Sequence, residues 1–249
     1  MKKIFTLLAL IVAFTINAQT NTNFGTESLN SNTTGTWNSA FGYQSLKSNT
    51  EGFSNNAFGY KSLTSNTTGS NNTAYGQQSL FYNTTGDFNT ASGAYSLGTN
   101  TTGSNNTAYG YQSLKFNTTG SDNTAFGYDA LGTNTEGSNN TVYGQQSLFY
   151  NTTGSFNTAS GAYSLGANTT GSSNTAYGIF SLLTNKTGSY NTAFGYNATA
   201  STDNATNQTV IGHEATGQAD NSVVLGNDDV TAVYMGEDSG ATVYAASFV

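Results

Sequence analysis

The chain has 249 residues, only 8% of them charged, with 29 Gly and no Pro, Cys or Arg. Six Lys against 13 acidic side chains give a formal charge of −7. No stretch is basic, which argues against nucleic acid and anionic membrane surfaces as partners. Low charge with low hydrophobicity would suit a disordered chain, but aromatic residues make up 13% and recur at fixed places, so there is something to bury.

The N-terminus reads as an export signal spanning residues 1–18. Lys2 and Lys3 form its positive start, and Ile4 to Phe14 form an apolar run too short to span a bilayer. Ile16-Asn17-Ala18 offers a small residue for cleavage, leaving Gln19 or Thr20 as the new N-terminus. Removing the signal takes away two Lys, so the exported chain carries 4 − 13 = −9. Lack of Cys excludes both a lipid anchor on that terminus and any disulfide, although the compartment would allow one. The expected location is secreted or on the outer cell surface, with no direct membrane insertion of this chain.

From residue 19 to about residue 200 the sequence is a tandem repeat with a period of 17. Asn32, Asn49, Asn66 and their successors to Asn185 hold that spacing without a slip, and a Gly follows each by three. A second Gly series runs from Gly25 to Gly212 at the same spacing, then shortens to 14 at Gly226. The consensus is N-T-T-G-x-x-N-T-A-[FY]-G-x-x-S-L-x-x. Residues 72–98 recur at 140–166 with only Ala74/Val142 and Asp87/Ser155 different, so blocks of four units have been duplicated. Residues 201–236 form the shorter-period part, and 237–249 a neck or truncated end.

Each unit is too short for a pair of helices and carries two Gly and several β-branched Thr, so the expected fold is all-β. The period suits one coil of a β-solenoid made of two short strands and two turns. N-T-T-G is expected to be the first turn, with Asn starting it and Gly supplying positive φ; the Gly after the aromatic residue forms the second bend. Thirteen Gly-marked coils, Gly25 to Gly226, stacked at the strand spacing of about 4.8 Å make a rod about 60 Å long.

Stacking superposes equivalent residues. Leu29 to Leu182 form an apolar ladder, and Phe24, Phe41, Phe58, Tyr75, Tyr109, Phe126, Tyr143, Tyr177 and Phe194 an aromatic one. Ser92 and Ser160 interrupt the aromatic series, with Tyr95 and Tyr163 as candidate compensating rings. Asn21 to Asn191 are expected to form a ladder of stacked amides. Ala74-Tyr75, Ala108-Tyr109, Ala125-Phe126 and Ala193-Phe194 present apolar groups on both faces of a strand. One face can fill the roll, and the other then needs a partner chain.

N-T-A-F-G-Y with N-T-T-G resembles the head repeats of trimeric autotransporter adhesins, the YadA-like or haemagglutinin-repeat heads. Ser222-Val223-Val224-Leu225-Gly226 and Gln208-Thr209-Val210-Ile211-Gly212 come closest to that family's short motif, at its 14-residue spacing. The resemblance covers roughly residues 21–236 and implies a left-handed parallel β-roll that forms a homotrimer. The longer units depart from it by three residues, expected in the N-T-T-G turn. Val230-Thr231-Ala232-Val233-Tyr234-Met235-Gly236 also looks like the neck of phage tail-fibre proteins. The family's coiled-coil stalk and anchor strands, and the chaperone domain of tail fibres, are not seen in the sequence.

No catalytic, cofactor or metal residues are assigned. His213 is the single His and stands beside Glu214, without the paired carboxylates or nucleophile–base set that hydrolysis needs. Asn227-Asp228-Asp229 and Glu237-Asp238 read as solvated acidic turns rather than Ca²⁺ loops. The N-x-T triplets follow from the repeat itself. The leading functional expectation is an adhesin-like head that binds extracellular matrix, glycans or cells by multivalent weak contacts, with Tyr43, Tyr60, Tyr111, Tyr128 and Tyr196 as candidate glycan-facing rings. A purely structural filament or spacer is the alternative, and an ice-binding solenoid a more distant one.

Overall fold

The structure is a computed structural model in which residues 21–231 and 233 are described. The export signal and the neck at 237–249 lie outside the described residues. The chain forms one parallel sheet of thirteen three-residue strands stacked in chain order, from β1 (Thr22–Phe24) to β13 (Val223–Leu225). Thr73 of β4 (Thr73–Tyr75) pairs with Thr90 of β5 (Thr90–Ser92), and the same 17-residue offset holds as far as β12 (Thr209–Ile211). A parallel β-solenoid is the result.

The expected two strands per coil are reduced to one. The opposite side is built from turns whose backbone groups bond to neighbouring coils: Gln78 N–H donates to the Tyr60 carbonyl at 2.9 Å and Leu80 N–H to the Ser96 carbonyl at 3.0 Å. A run such as G-x-x-S-L cannot stay extended here, because its third and fifth residues have positive φ in almost every coil; for Leu the values are 48–52°. A bulky residue in that region carries a strain of order 1–3 kcal/mol. Complete burial of each Leu from Leu46 to Leu182 returns about 1.5–3 kcal/mol, and the inter-coil hydrogen bond adds about 1 kcal/mol. The conformation is therefore held by the stack and not by local preference.

Five side chains per coil point inward. In the fourth coil they are Ala74, Ser79, Leu80, Asn83 and Asn89, all fully buried. From β2 (Ser39–Phe41) to β12 the central Ala, or Val at 142 and 210, thus fills the interior, and the residue after it, aromatic in most strands, faces outward. The expected amide ladder is present: the Asn89 backbone N–H donates to Asn72 Oδ1 at 2.9 Å, while Asn89 Nδ2 donates to the Gly103 carbonyl at 2.9 Å. The N-T-T-G Asn form a second buried ladder that the sequence reading assigned only to turn initiation. Most inward Ser hydroxyls bond within the coil, as Ser96 does to the Gly93 carbonyl at 2.8 Å, whereas Ser147 bonds the Ser164 hydroxyl of the next coil at 2.7 Å.

The glycine of N-T-T-G does not have positive φ; the left-handed residue of that turn comes two places later, as at Asn71 or Phe88. Gly is needed for space. A Cβ on Gly69 would stand 2.5 Å from Asn66 Oδ1 and 2.6 Å from the Gly86 carbonyl oxygen. The glycine after the aromatic residue does need its special φ, +126° at Gly110.

The last coil is shorter. Thr199 bridges Thr216 at an offset of 17, but Asn207 bonds Asn221 and Thr209 pairs with Val223 at an offset of 14. Three residues have been lost between these points, in the turn equivalent to N-T-T-G. Gln208 there replaces the inner Asn, and its longer amide reaches Ser201, with Oε1 accepting from the Ser201 N–H at 3.0 Å.

Candidate functional surface

Among the described residues the inward side chains are fully buried against one another, so the candidate functional groups are those that point outward. On the sheet side, each strand places its first and third residues outward around the buried Ala. The third positions form a column of stacked rings: Phe41–Phe58 centroids are 4.9 Å apart, Phe58–Tyr75 4.8 Å, Phe126–Tyr143 5.3 Å and Tyr177–Phe194 5.0 Å. Tyr109 remains 58% exposed within this column. The rings shield each other along the axis and nothing in the described chain covers their outer edges. Ile211 and Leu225 continue the column at the C-terminal end.

Two residues after the strand, a second column carries rings in three stacked pairs, separated by Gln77 and Ala94 and by Gln145, Ala162 and Ile179. Tyr43 stacks on Tyr60 at 5.5 Å, Tyr111 on Tyr128 at 5.5 Å, and Tyr196 on His213 at 5.3 Å. All five candidate Tyr are exposed. His213 therefore occupies a Tyr position in this column, with Nδ1 3.8 Å from a Glu214 carboxylate oxygen. Tyr95 and Tyr163 do not restore the strand column at Ser92 and Ser160. Tyr95 stands edge-on to Tyr111 at 6.0 Å and Tyr163 stacks on Phe180 at 5.5 Å.

A third set of rings sits at the left-handed position before the inner Asn. Trp37, Phe88, Phe156 and Tyr190 occupy it with φ between 56° and 63° and are 60–67% exposed. In other coils Asn71, Asn105 and Asn139 hold the same place, the residue type that tolerates this conformation best. Sequence reading missed this set because the preceding Gly seemed to supply the turn.

Electrostatics are sparse. Glu27 pairs with Lys47 at 2.6 Å and Asp203 with Lys186 at 3.2 Å, both exposed and between coils. The Lys47 hydrogen bond, assisted by Gln44, holds the Glu27 carboxyl below its ordinary range. Asp129 differs in being largely buried; burial pushes its pKa up, against the pull of Lys115 and a Tyr128 hydrogen bond. At the C-terminal end a cavity of about 510 Å³ is lined by Glu214, Asp228 and Asp229 among others. Asp229 N–H donates to Asn227 Oδ1 at 3.1 Å, an ordinary turn contact. Among the described residues no group of three His, Asp or Glu is placed to hold a metal ion, and no helix is long and apolar enough to cross a membrane. The Asn of the N-T-T triplets at Asn66, Asn83, Asn100, Asn117, Asn151 and Asn168 is buried, so these acceptor-like triplets are closed to glycosylation in the folded chain, whereas Asn105 and Asn139, which begin N-N-T triplets, are exposed.

No family model, no curated protein and no solved structure matches this chain.

Proposed function

We propose that this chain is a secreted or cell-surface, non-catalytic head that attaches to matrix, glycans or other cells through many weak contacts. The observation that carries the reading is the pair of ring columns, exposed and repeated along a rod of about 60 Å. An apolar strip of that length exceeds what a soluble monomer ordinarily leaves open. Repetition also suits attachment, because linked weak sites gain strength through effective concentration.

The two columns divide the work. The strand column lies on the flatter sheet side and takes partner copies of the chain, in a homotrimer of left-handed rolls. The number three and the winding sense rest on the resemblance to YadA-like heads. Burial of the Ala ladder removes it from consideration as the contact between chains, which leaves the rings for that role. The Tyr43-type column then faces outward for ligand.

Two measurements test this. Light scattering on the chain purified after export is expected to give three times the chain mass, and a stable folded monomer at micromolar concentration rejects the trimer. Beads coated with the protein are expected to lose most of their retention on matrix or cells when Tyr111→Ser and Tyr128→Ser are combined. Unchanged retention, with an unchanged melting temperature, favours the alternative of a structural spacer whose length is set by block duplication.

A further inference from the structure

Two small clefts open on the turn side of the rod, at positions related by the duplicated block. One, of about 120 Å³, has Phe81, Tyr82 and Tyr95 as walls and Gly98 in its lining. The other, of about 220 Å³, has Phe149, Tyr150, Tyr163 and Gly166 in the same places. The equivalent residues differ in number by 68, four coils, which separates the clefts by about 19 Å along the axis. Strands pair parallel at a constant 17-residue offset, so both clefts occupy the same place in their coils.

The fold does not require glycine at these two places. Neither Gly98 nor Gly166 has positive φ, and other coils carry Lys47, Thr64, Phe81, Lys115, Phe149 and Leu183 there. Gly132 also occupies this position, but its space is taken: a Cβ would lie 2.8 Å from the Phe149 ring. At Gly98 the nearest atoms to an added Cβ are backbone, starting with the Tyr95 carbonyl oxygen at 3.1 Å. At Gly166 they are the Tyr163 carbonyl oxygen at 3.0 Å and Leu183 Cδ1 at 3.1 Å, so Leu183 forms the floor of that slot. Both slots are thus open between their aromatic walls, the second above the Leu183 side chain.

We infer that the Gly98 and Gly166 slots are a matched pair of subsites for a neutral polysaccharide, each taking one pyranose ring. This deepens the attachment reading above and rests on it, while using residues outside the Tyr43-type column. The walls supply ring faces and edges, with Phe81 and Tyr82 nearly perpendicular at 4.5 Å and Phe149 and Tyr150 likewise at 4.8 Å. A pyranose presents an apolar C–H face to such rings and its hydroxyls to the rim. Polar groups stand at that rim: Gln77 Nε2 donates to the Tyr95 hydroxyl at 2.9 Å, and Gln145 repeats the contact to Tyr163 at 3.3 Å.

Charge selects the ligand further. Lys115 lines one cleft and Leu183 takes its place in the other, so no charge is common to the pair. A protein with an acidic excess and no shared cation in its slots does not select an anionic glycan. The volumes are below those of ordinary small-molecule sites, so one ring in one slot binds weakly. A chain of repeated sugars engages both, and the fixed spacing makes the second contact intramolecular.

The test is electrophoresis of the chain purified after export through native gels containing hydroxyethyl cellulose, galactomannan or dextran. Retardation by at least one of these is expected. Gly98→Leu or Gly166→Leu alone is expected to weaken retention about tenfold or more, and the pair to abolish it, with melting temperature unchanged or raised. Tyr43→Ser with Tyr60→Ser, whose rings line neither cleft, is expected to leave retention intact, so failure of the slots and failure of the column reading are separable. The proposal is overturned if none of the three polysaccharides retards the protein, or if the doubly filled variant is retained as well as the parent. A changed mass by light scattering on filling the slots also overturns it, and makes them contacts between chains.

Discussion

The Asn117 amide donates to Asn100 Oδ1, one coil away, at 2.8 Å, and to the Gly120 carbonyl of its own turn, also at 2.8 Å. Its own Oδ1 accepts from Asn134 at 2.8 Å. One buried side chain thus closes a turn and joins three coils. Asn117→Leu leaves the Asn100 oxygen, the Gly120 carbonyl and one Asn134 proton each without this partner, at about 1–3 kcal/mol for every group that finds no other. We expect a large fall in melting temperature, against almost none for the exposed control Thr119→Leu. Similar melting curves for both would show that the ladder contributes little.

Gly110→Val should destabilise far more than Tyr111→Ser beside it. Gly110 has φ of +126°, and a Cβ there would approach the Gly127 carbonyl oxygen to 2.5 Å. Backbone strain alone is about 1–3 kcal/mol, and the clash adds to it because the next coil cannot withdraw. Tyr111 lies exposed in the outer column. Thermal unfolding of the two variants checks the ordering, and equal midpoints would reject the account of this bend.

Asp129→Gln should stabilise the protein at neutral pH. Gln112 and Gln146 hold the same place in the adjacent coils, whereas the Asp129 carboxyl is pushed up by burial. A carboxyl whose folded pKa lies above its unfolded one binds its proton more tightly when folded. The penalty is therefore fully present above the folded pKa and disappears as pH falls towards the unfolded value. The gain in melting temperature from Asp129→Gln is expected to shrink through that window, just above the ordinary Asp range. A gain independent of pH would point to packing instead.

Thermal hysteresis in freezing solutions should be absent at micromolar protein. The outward Thr column of Thr73, Thr90, Thr107 and Thr124 is one residue wide, with the buried Ala and the ring column beside it. Thr67 and Thr84, of the N-T-T-G turns, spend their hydroxyls on the carbonyls of Thr84 and Thr101, both at 3.0 Å. A flat array of free hydroxyls is not available. Clear hysteresis would overturn this and promote the ice-binding alternative.

Period, parallel stacking, the Leu ladder and the first Asn ladder were legible in the sequence because each depends only on spacing. The turn side was not. Leu80 and Gln78 adopt positive φ against their own preference, so propensity reads them as ordinary strand residues. The force that holds them comes from neighbouring coils, which no single repeat displays. The inward direction of Ala and outward direction of Tyr were likewise hidden, since both are apolar and alternate along three residues. The paired slots were visible only as Gly98 and Gly166, with Gly132 between them, breaking a series of larger side chains, a signal that gains meaning once the walls around it are known.

Register from coil to coil also sets how the molecule answers force. Each coil bonds only to the coils before and after it, so a pull along the axis opens the rod from an end, one coil at a time. An opened coil replaces a rise of about 4.8 Å by up to about 60 Å of extended chain, seventeen residues at roughly 3.5 Å each. A tether that lengthens in steps of that size absorbs work under flow while the coils still closed keep their surface in order.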